Sequence, residues 1–136
     1  NMKRLMNQEG LPYESRSMTY NSRLAQELGS WADTQENGYD IHEKIYQAYF
    51  VKNKNIGNTD VLIDIVKQVG LSETEANKVL KERTFKKVVD QDWNKAQEIG
   101  VTGVPTYIVS GAGVVGAQPY ETLAQLVEHS ISNKRI

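Results

Sequence analysis

The 136-residue sequence has no cysteine and only two histidines. Without cysteine the chain has no thiolate nucleophile, disulfide or cysteine metal ligand, and it cannot exchange disulfides with its own side chains. His42 and His129 are far apart in the sequence. Neither has an acidic or cysteine partner at metal-ligand spacing, so both are predicted to be ordinary surface or edge side chains. The sequence therefore indicates no cofactor and no metal.

The sequence also lacks an excess of charge of either sign, and it has no long apolar runs. Sixteen basic residues balance 17 acidic ones, which argues against nucleic acid, because such binding needs a clustered basic face. No apolar run approaches the roughly 20 residues of a membrane span, and the N-terminus has no signal-peptide pattern. We therefore expect a cytoplasmic protein with no membrane partner. The length suits a single domain, residues 1–136.

Apolar residues recur at three- and four-residue steps through the first three quarters of the sequence, which predicts amphipathic helices. The predicted helical segments are 18–35, 41–53, 60–70, 71–82 and 84–100. Asp40, Asn58 or Thr59, and Ser72 are the expected N-caps, and Glu75 completes a capping box with Ser72. The aromatic residues at helical spacing are predicted to be core: Trp31, Tyr46, Tyr49 and Trp93.

The pattern changes after Gly100. Two short β-type runs, 106–109 and 113–117, flank a predicted four-residue hairpin loop, "SGAG". Pro119 then suits the first position of a final helix, whose inward residues would be Leu123, Leu126, Val127 and Ile131. Two strands alone are marginal in water. We therefore expect either strands from another chain or unusually good cover from the helices.

The stretch "GVTGVPTYIV", residues 100–109, joins these two parts. Pro105 gives the following strand no backbone donor, and it pushes Val104 out of the helical region. In the simplest interpretation, Pro105 begins a strand after a loop, where proline is tolerated.

The ordered set of "NSRLAQELGSWADTQ", "YQAYFVKNKNIGNTDVL" and "GVTGVPTYIV" through "VVGAQPYETL" resembles DsbA-like proteins of the thioredoxin superfamily, with the FrnE-type branch the closest type. The resemblance covers roughly residues 10 to 130. It implies a mostly helical α/β fold, thioredoxin-like but truncated. A helical insertion, 11–99, would precede the C-terminal part of the fold, 100–136, with its β-hairpin and C-terminal helix.

The resemblance also implies a role for the turn. The pair matching Val104 and Pro105 forms a cis peptide bond beside the family's active site, and Gly103 allows close approach. Gly103, Val104 and Pro105 are thus the expected substrate-binding residues, for a peptide or protein thiol or for glutathione. The family's C-x-x-C pair is not in this sequence, so no catalytic residue carries over. This chain alone is expected to be inactive as a thiol–disulfide oxidoreductase.

Two alternatives remain open. A kappa-like glutathione-dependent isomerase or transferase would use an equivalent turn without a C-x-x-C pair. A non-catalytic protein-interaction module would use the fold only as a scaffold. With either function, the uncovered hairpin could join two chains into a homodimer.

Overall fold

The computed structural model describes residues 1–134, which form seven helices and one two-stranded antiparallel sheet. This mostly helical arrangement agrees with the fold class predicted from the sequence. The elements are α1 (Met2–Gln8), α2 (Arg23–Ala32), α3 (Asp40–Phe50), α4 (Thr59–Gln68), α5 (Glu73–Glu82), α6 (Lys86–Glu98), β1 (Thr106–Val109), β2 (Ala112–Val115) and α7 (Tyr120–Lys134). Within residues 1–134, no helix is both long and apolar enough to cross a membrane.

The chain divides into two compact units, one up to Gln91 and one from Asp92 onward. The division falls inside α6. The sequence pattern divides the chain at residue 100, which lies just after the C-terminal end of α6.

The first unit is built around four helices, α2 to α5, in which α2 and α4 each pack against the other three. Its core is built from the apolar stripes that the helical spacing indicates. Trp31 belongs to this core, as predicted, and Tyr49 packs against its edge. The buried core residues include Leu28, Ile41, Ile45, Leu62, Ile65, Val66, Ala76 and Leu80. Helix α1 was not predicted from the sequence, and none of its residues is buried.

The helix caps agree with the sequence in two of three cases. The Asn58 side chain accepts a hydrogen bond from the Asp60 N–H at 2.8 Å, and Ser72 Oγ accepts from the Glu75 N–H at 3.2 Å. Asp40 was the wrong residue for the third cap. It is already the first helical residue of α3, and Tyr39 precedes it without a side-chain cap.

Two aromatic predictions were wrong. Trp93 is 49% exposed and Tyr46 is 59% exposed, although Trp93 stands four residues after the buried Val89. In α6 only Val89 is buried, and Val88 is exposed with Trp93. Periodicity predicts which residues share a face of a helix, but it does not reveal whether that face is covered.

In the second unit, α7 packs on both strands of the hairpin. The loop prediction was wrong: Val109 pairs with Ala112, so the turn has two residues, Ser110 and Gly111. Both have positive φ, 50° and 83°, as a type I′ turn requires. Strand β2 accordingly starts and ends earlier than predicted.

Helix α7 begins at Tyr120, so Pro119 precedes it rather than occupying its first position. Leu126 is buried on this helix, as expected, whereas Val127 and Ile131 are exposed. The side chain of Ser130 is buried and donates from Oγ to Ser110 Oγ at 2.6 Å. This bond connects the hairpin turn to α7.

Candidate functional site

The turn formed by Gly103, Val104 and Pro105 lies between α6 and β1. The peptide bond from Val104 to Pro105 is cis, the geometry expected from the resemblance. Thr106 Oγ1 donates to the Gly103 carbonyl at 2.5 Å, and the Gly116 N–H donates to the Pro105 carbonyl at 2.7 Å. These two bonds hold the turn against the start of the hairpin.

Val104 is the most accessible part of this turn. Its side chain is 91% exposed. Among the residues that the structure describes, none forms a hydrogen bond with its backbone N–H or C=O. Both groups are therefore available to an external partner. Proline cannot donate, so Val104 carries the first backbone donor on the N-terminal side of β1.

The strand register shows which backbone groups point away from the hairpin. The bond from Gly116 to Pro105 makes these two a hydrogen-bonded pair, and such pairs alternate with non-hydrogen-bonded ones along an antiparallel ladder. Thr106 and Ile108 are therefore in non-hydrogen-bonded pairs, with their backbone N–H and C=O directed outward. Together with Val104 they form what we term the β1 edge.

The surroundings of the β1 edge are apolar. Tyr107 is 40% exposed and Ile108 is 43% exposed, and the side chain of Val115 on β2 is also open to solvent. A Cβ atom placed on Gly103 would meet only Val115 Cγ1, at an ordinary 3.7 Å. Packing within the described residues therefore does not require glycine at 103. The part expected of Gly103, close approach by a ligand, stays a prediction.

The charged groups with shifted pKa values are elsewhere, in the first unit. Glu27 is fully buried and accepts two bonds from Arg83, at 2.7 and 2.6 Å, and one from Arg23 at 3.0 Å. Arg83 first, and then Arg23, lower the pKa of Glu27 against the opposing effect of burial. Arg23 also pairs with Asp90, whose pKa is lowered by Lys86 and Arg23.

This ion network was missed from the sequence. Glu27 stands among the buried apolar residues of α2, and Arg83 lies in a charge-rich run. His42 is half-buried, and its Nε2 lies 2.7 Å from Asp33 Oδ1. Across the described residues, no cluster of three or more His, Cys, Asp or Glu side chains is placed to hold a metal ion.

Comparison with known proteins identifies the family. A sequence model of the DSBA-like thioredoxin domain matches residues 1–128. The chain belongs to the DsbA-like thioredoxin family. The DsbA-like chain is also similar to the protein YwbO of Bacillus subtilis (strain 168), with 32% identity over 95 residues. This match covers 69% of the chain and 48% of YwbO, so the chain spans about half the length of that curated relative.

A structural comparison supports the same fold. The DsbA-like chain is similar to the crystal structure of a "putative protein disulfide isomerase" from Nitrosomonas europaea, with a TM-score of 0.72 and 15% identity. The match covers 96% of this chain and 70% of the other. At this identity the similarity shows the fold alone.

Proposed function

We propose that this chain holds an extended, thiol-bearing peptide along the β1 edge, as the substrate-binding part of a FrnE-type thiol–disulfide oxidoreductase. The observation that carries the proposal is the outward direction of the backbone groups of Thr106 and Ile108, next to the unbonded backbone groups of Val104. Gly103 and Pro105 complete the binding turn.

An exposed strand edge binds extended peptides through main-chain hydrogen bonds. Such bonds are indifferent to the peptide's sequence, which suits an enzyme family that acts on thiols in many proteins. The exposed side chains of Val104, Tyr107 and Ile108 would add apolar contact area. Selectivity would then come from the reactive thiol and from exposed apolar residues beside it.

The 136 residues contain no cysteine, so the thiols for disulfide exchange would have to come from outside them. A mixed disulfide cannot form with any side chain of this chain. The chain alone would bind substrate without turning it over, and reduction of insulin by dithiothreitol in its presence would proceed at the uncatalysed rate. Catalysed turnover by pure protein would contradict this.

Fluorescence anisotropy with a labelled, extended peptide carrying S-methylcysteine tests the binding proposal. Ile108→Pro removes an outward N–H and leaves the hairpin ladder unchanged, so peptide affinity is expected to fall roughly tenfold or more. Val115→Pro is the matched control, because Val115 is also in a non-hydrogen-bonded pair but on the opposite edge. Equal loss of affinity in the two variants, or no saturable binding by the wild-type chain, would contradict the proposal.

The same assay separates the peptide from glutathione. S-methylglutathione and an unlabelled copy of the peptide are each added as competitors of the labelled peptide. Displacement should require a higher concentration of S-methylglutathione than of the unlabelled peptide. If S-methylglutathione competes at lower concentrations, the glutathione-dependent alternative replaces the peptide proposal.

The β1 edge also suits a second copy of this chain. Exposed strand edges tend to pair with other chains. A two-fold axis beside β1 would join two hairpins into a four-stranded sheet and cover Tyr107 and Ile108 of both copies. We propose that, in the absence of peptide, the chain forms this homodimer, which covers the β1 edge. Peptide and second copy would then compete for the same surface.

A further inference from the structure

The irregular segment 11–22 of the first unit is held against the C-terminal end of α3. The Glu14 N–H donates to the Phe50 carbonyl at 3.0 Å, and Asn53 Nδ2 donates to the Ser15 carbonyl at 3.2 Å. Arg16 follows directly after these two anchors. Its guanidinium lies over the Tyr49 ring, 4.1 Å from the centroid, and 5.5 Å from the centroid of the Phe50 ring.

The guanidinium of Arg16 has no hydrogen-bond acceptor among the described residues. Its Nε and Nη1 atoms are buried and unpaired. Nη2 also has no bond to a described residue, but it is not enclosed, so it gives access from solvent. The guanidinium can bind an anion with either of two nitrogen pairs, Nε with Nη2 or Nη1 with Nη2. The accessible atom, Nη2, belongs to both pairs.

The aromatic rings do not satisfy these donors. A ring face attracts the positive charge of a stacked guanidinium, but the five N–H bonds lie in the guanidinium plane, directed away from the ring. Buried donors are normally paired with protein, water or an ion. The aromatic stacking thus orients the guanidinium of Arg16, and Nη2 is the in-plane donor that an acceptor outside the chain can reach.

The positive charge of Arg16 itself favours an anionic acceptor. Lys52 and Lys54 flank Asn53, the residue that binds the neighbouring Ser15 carbonyl. Glu14 is the acidic residue nearest to Arg16 in the segment, and no ion pair between the two is formed. Carboxylates and phosphates match the guanidinium fork with two oxygens at once.

We propose that Arg16, stacked on Tyr49 and Phe50, is a binding site for a small oxyanion, either a carboxylate or a phosphate. This site lies in the first unit and does not depend on the function proposed for the β1 edge.

Nuclear magnetic resonance of the ¹⁵N-labelled full chain tests the site directly. The Nε–H signal of Arg16 is followed while sodium phosphate or sodium acetate is added, against sodium chloride at the same ionic strength. The signal should shift and saturate with at least one oxyanion. Arg4 is the internal control, since its guanidinium is exposed and already bonded to Gln8 and Asn1, and its signal should follow the chloride series.

Saturation with phosphate alone identifies a phosphate site, and saturation with acetate alone identifies a carboxylate site. An Arg16 signal that moves no more than in chloride, or an equal shift at Arg4, would overturn the proposal. Calorimetric titration of Arg16→Lys, which keeps the charge but loses the fork, should show at least roughly tenfold weaker binding. Arg4→Lys should bind like the wild type.

Discussion

At the scale of single residues, Gly38 shows how closely the chain returns on itself between α2 and α3. A Cβ atom on Gly38 would lie 1.8 Å from the backbone oxygen of Ala32 and 2.7 Å from its carbonyl carbon. Neither atom can move away without displacing the end of α2. Glycine is therefore required here because two backbone segments approach each other, and the sequence "NGYD" indicates only that the chain turns.

Gly38→Ala should accordingly destabilise the protein by about 3 kcal/mol or more, through overpacking against backbone. Chemical denaturation followed by far-ultraviolet circular dichroism measures this change. Gly103→Ala is the control, because its Cβ would make an ordinary contact at 3.7 Å, and it should change stability by less than about 0.5 kcal/mol. Comparable losses in the two variants would contradict this steric explanation of Gly38.

At the scale of elements, the sequence indicates the helices better than it indicates their surroundings. Apolar spacing is a local property, and the buried residues of α2, α3 and α4 recur at helical spacing. The burial of a helix face and the ion pairs that form on it depend on residues that are distant in the sequence. That is why Trp93 was wrongly placed in the core and why the partners of Glu27 were missed. The candidate turn at 103–105 was found through a family resemblance, whereas the outward backbone of Thr106 and Ile108 follows only from the observed register.

The Glu27 network connects α2 to the end of α5 and the start of α6, and it predicts how stability depends on pH. The pKa of Glu27 is lower in the folded chain than its ordinary value of about 4.3. Its stabilising effect is therefore complete above that ordinary pKa and is lost as the pH falls through the lower, folded pKa.

Glu27→Gln should reduce the free energy of unfolding by about 1–3 kcal/mol at pH 7, since it weakens charged hydrogen bonds to Arg83 and Arg23. The difference from wild type should shrink as the pH is lowered below about 4. Urea titrations at several pH values check this. Glu43→Gln, at an exposed glutamate bonded only to Gln47 among the described residues, should change stability little at any pH, and a pH-independent loss for Glu27→Gln would contradict the account.

At the scale of the whole molecule, the second unit buries fewer apolar side chains than the first among the described residues. Its buried apolar side chain is Leu126, in the part of the chain that the structure describes. Four large apolar residues of its hairpin and last helix are exposed: Tyr107, Ile108, Val127 and Ile131. We expect a protein of the DsbA-like thioredoxin family that exposes these apolar side chains to cover them by binding another chain.

Light scattering at micromolar concentration should therefore give a mass near twice the 15.4 kDa of one chain. Ile108→Pro should shift the protein toward the monomer, because it removes an outward donor from the β1 edge. Val115→Pro should leave the dimer in place. A persistent mass near 15.4 kDa for the wild-type chain would exclude the homodimer.

The central claim is that the β1 edge binds an extended peptide through its backbone. Amide-resolved nuclear magnetic resonance during titration with an S-methylcysteine peptide tests it most directly. The account predicts saturable shifts at the unbonded N–H of Val104 and at the outward N–H groups of Thr106 and Ile108. These shifts should be larger than those at Tyr107 and Val109, whose N–H groups point into the hairpin. Shifts that are equal at inward and outward amides, or confined to the first unit, would contradict it.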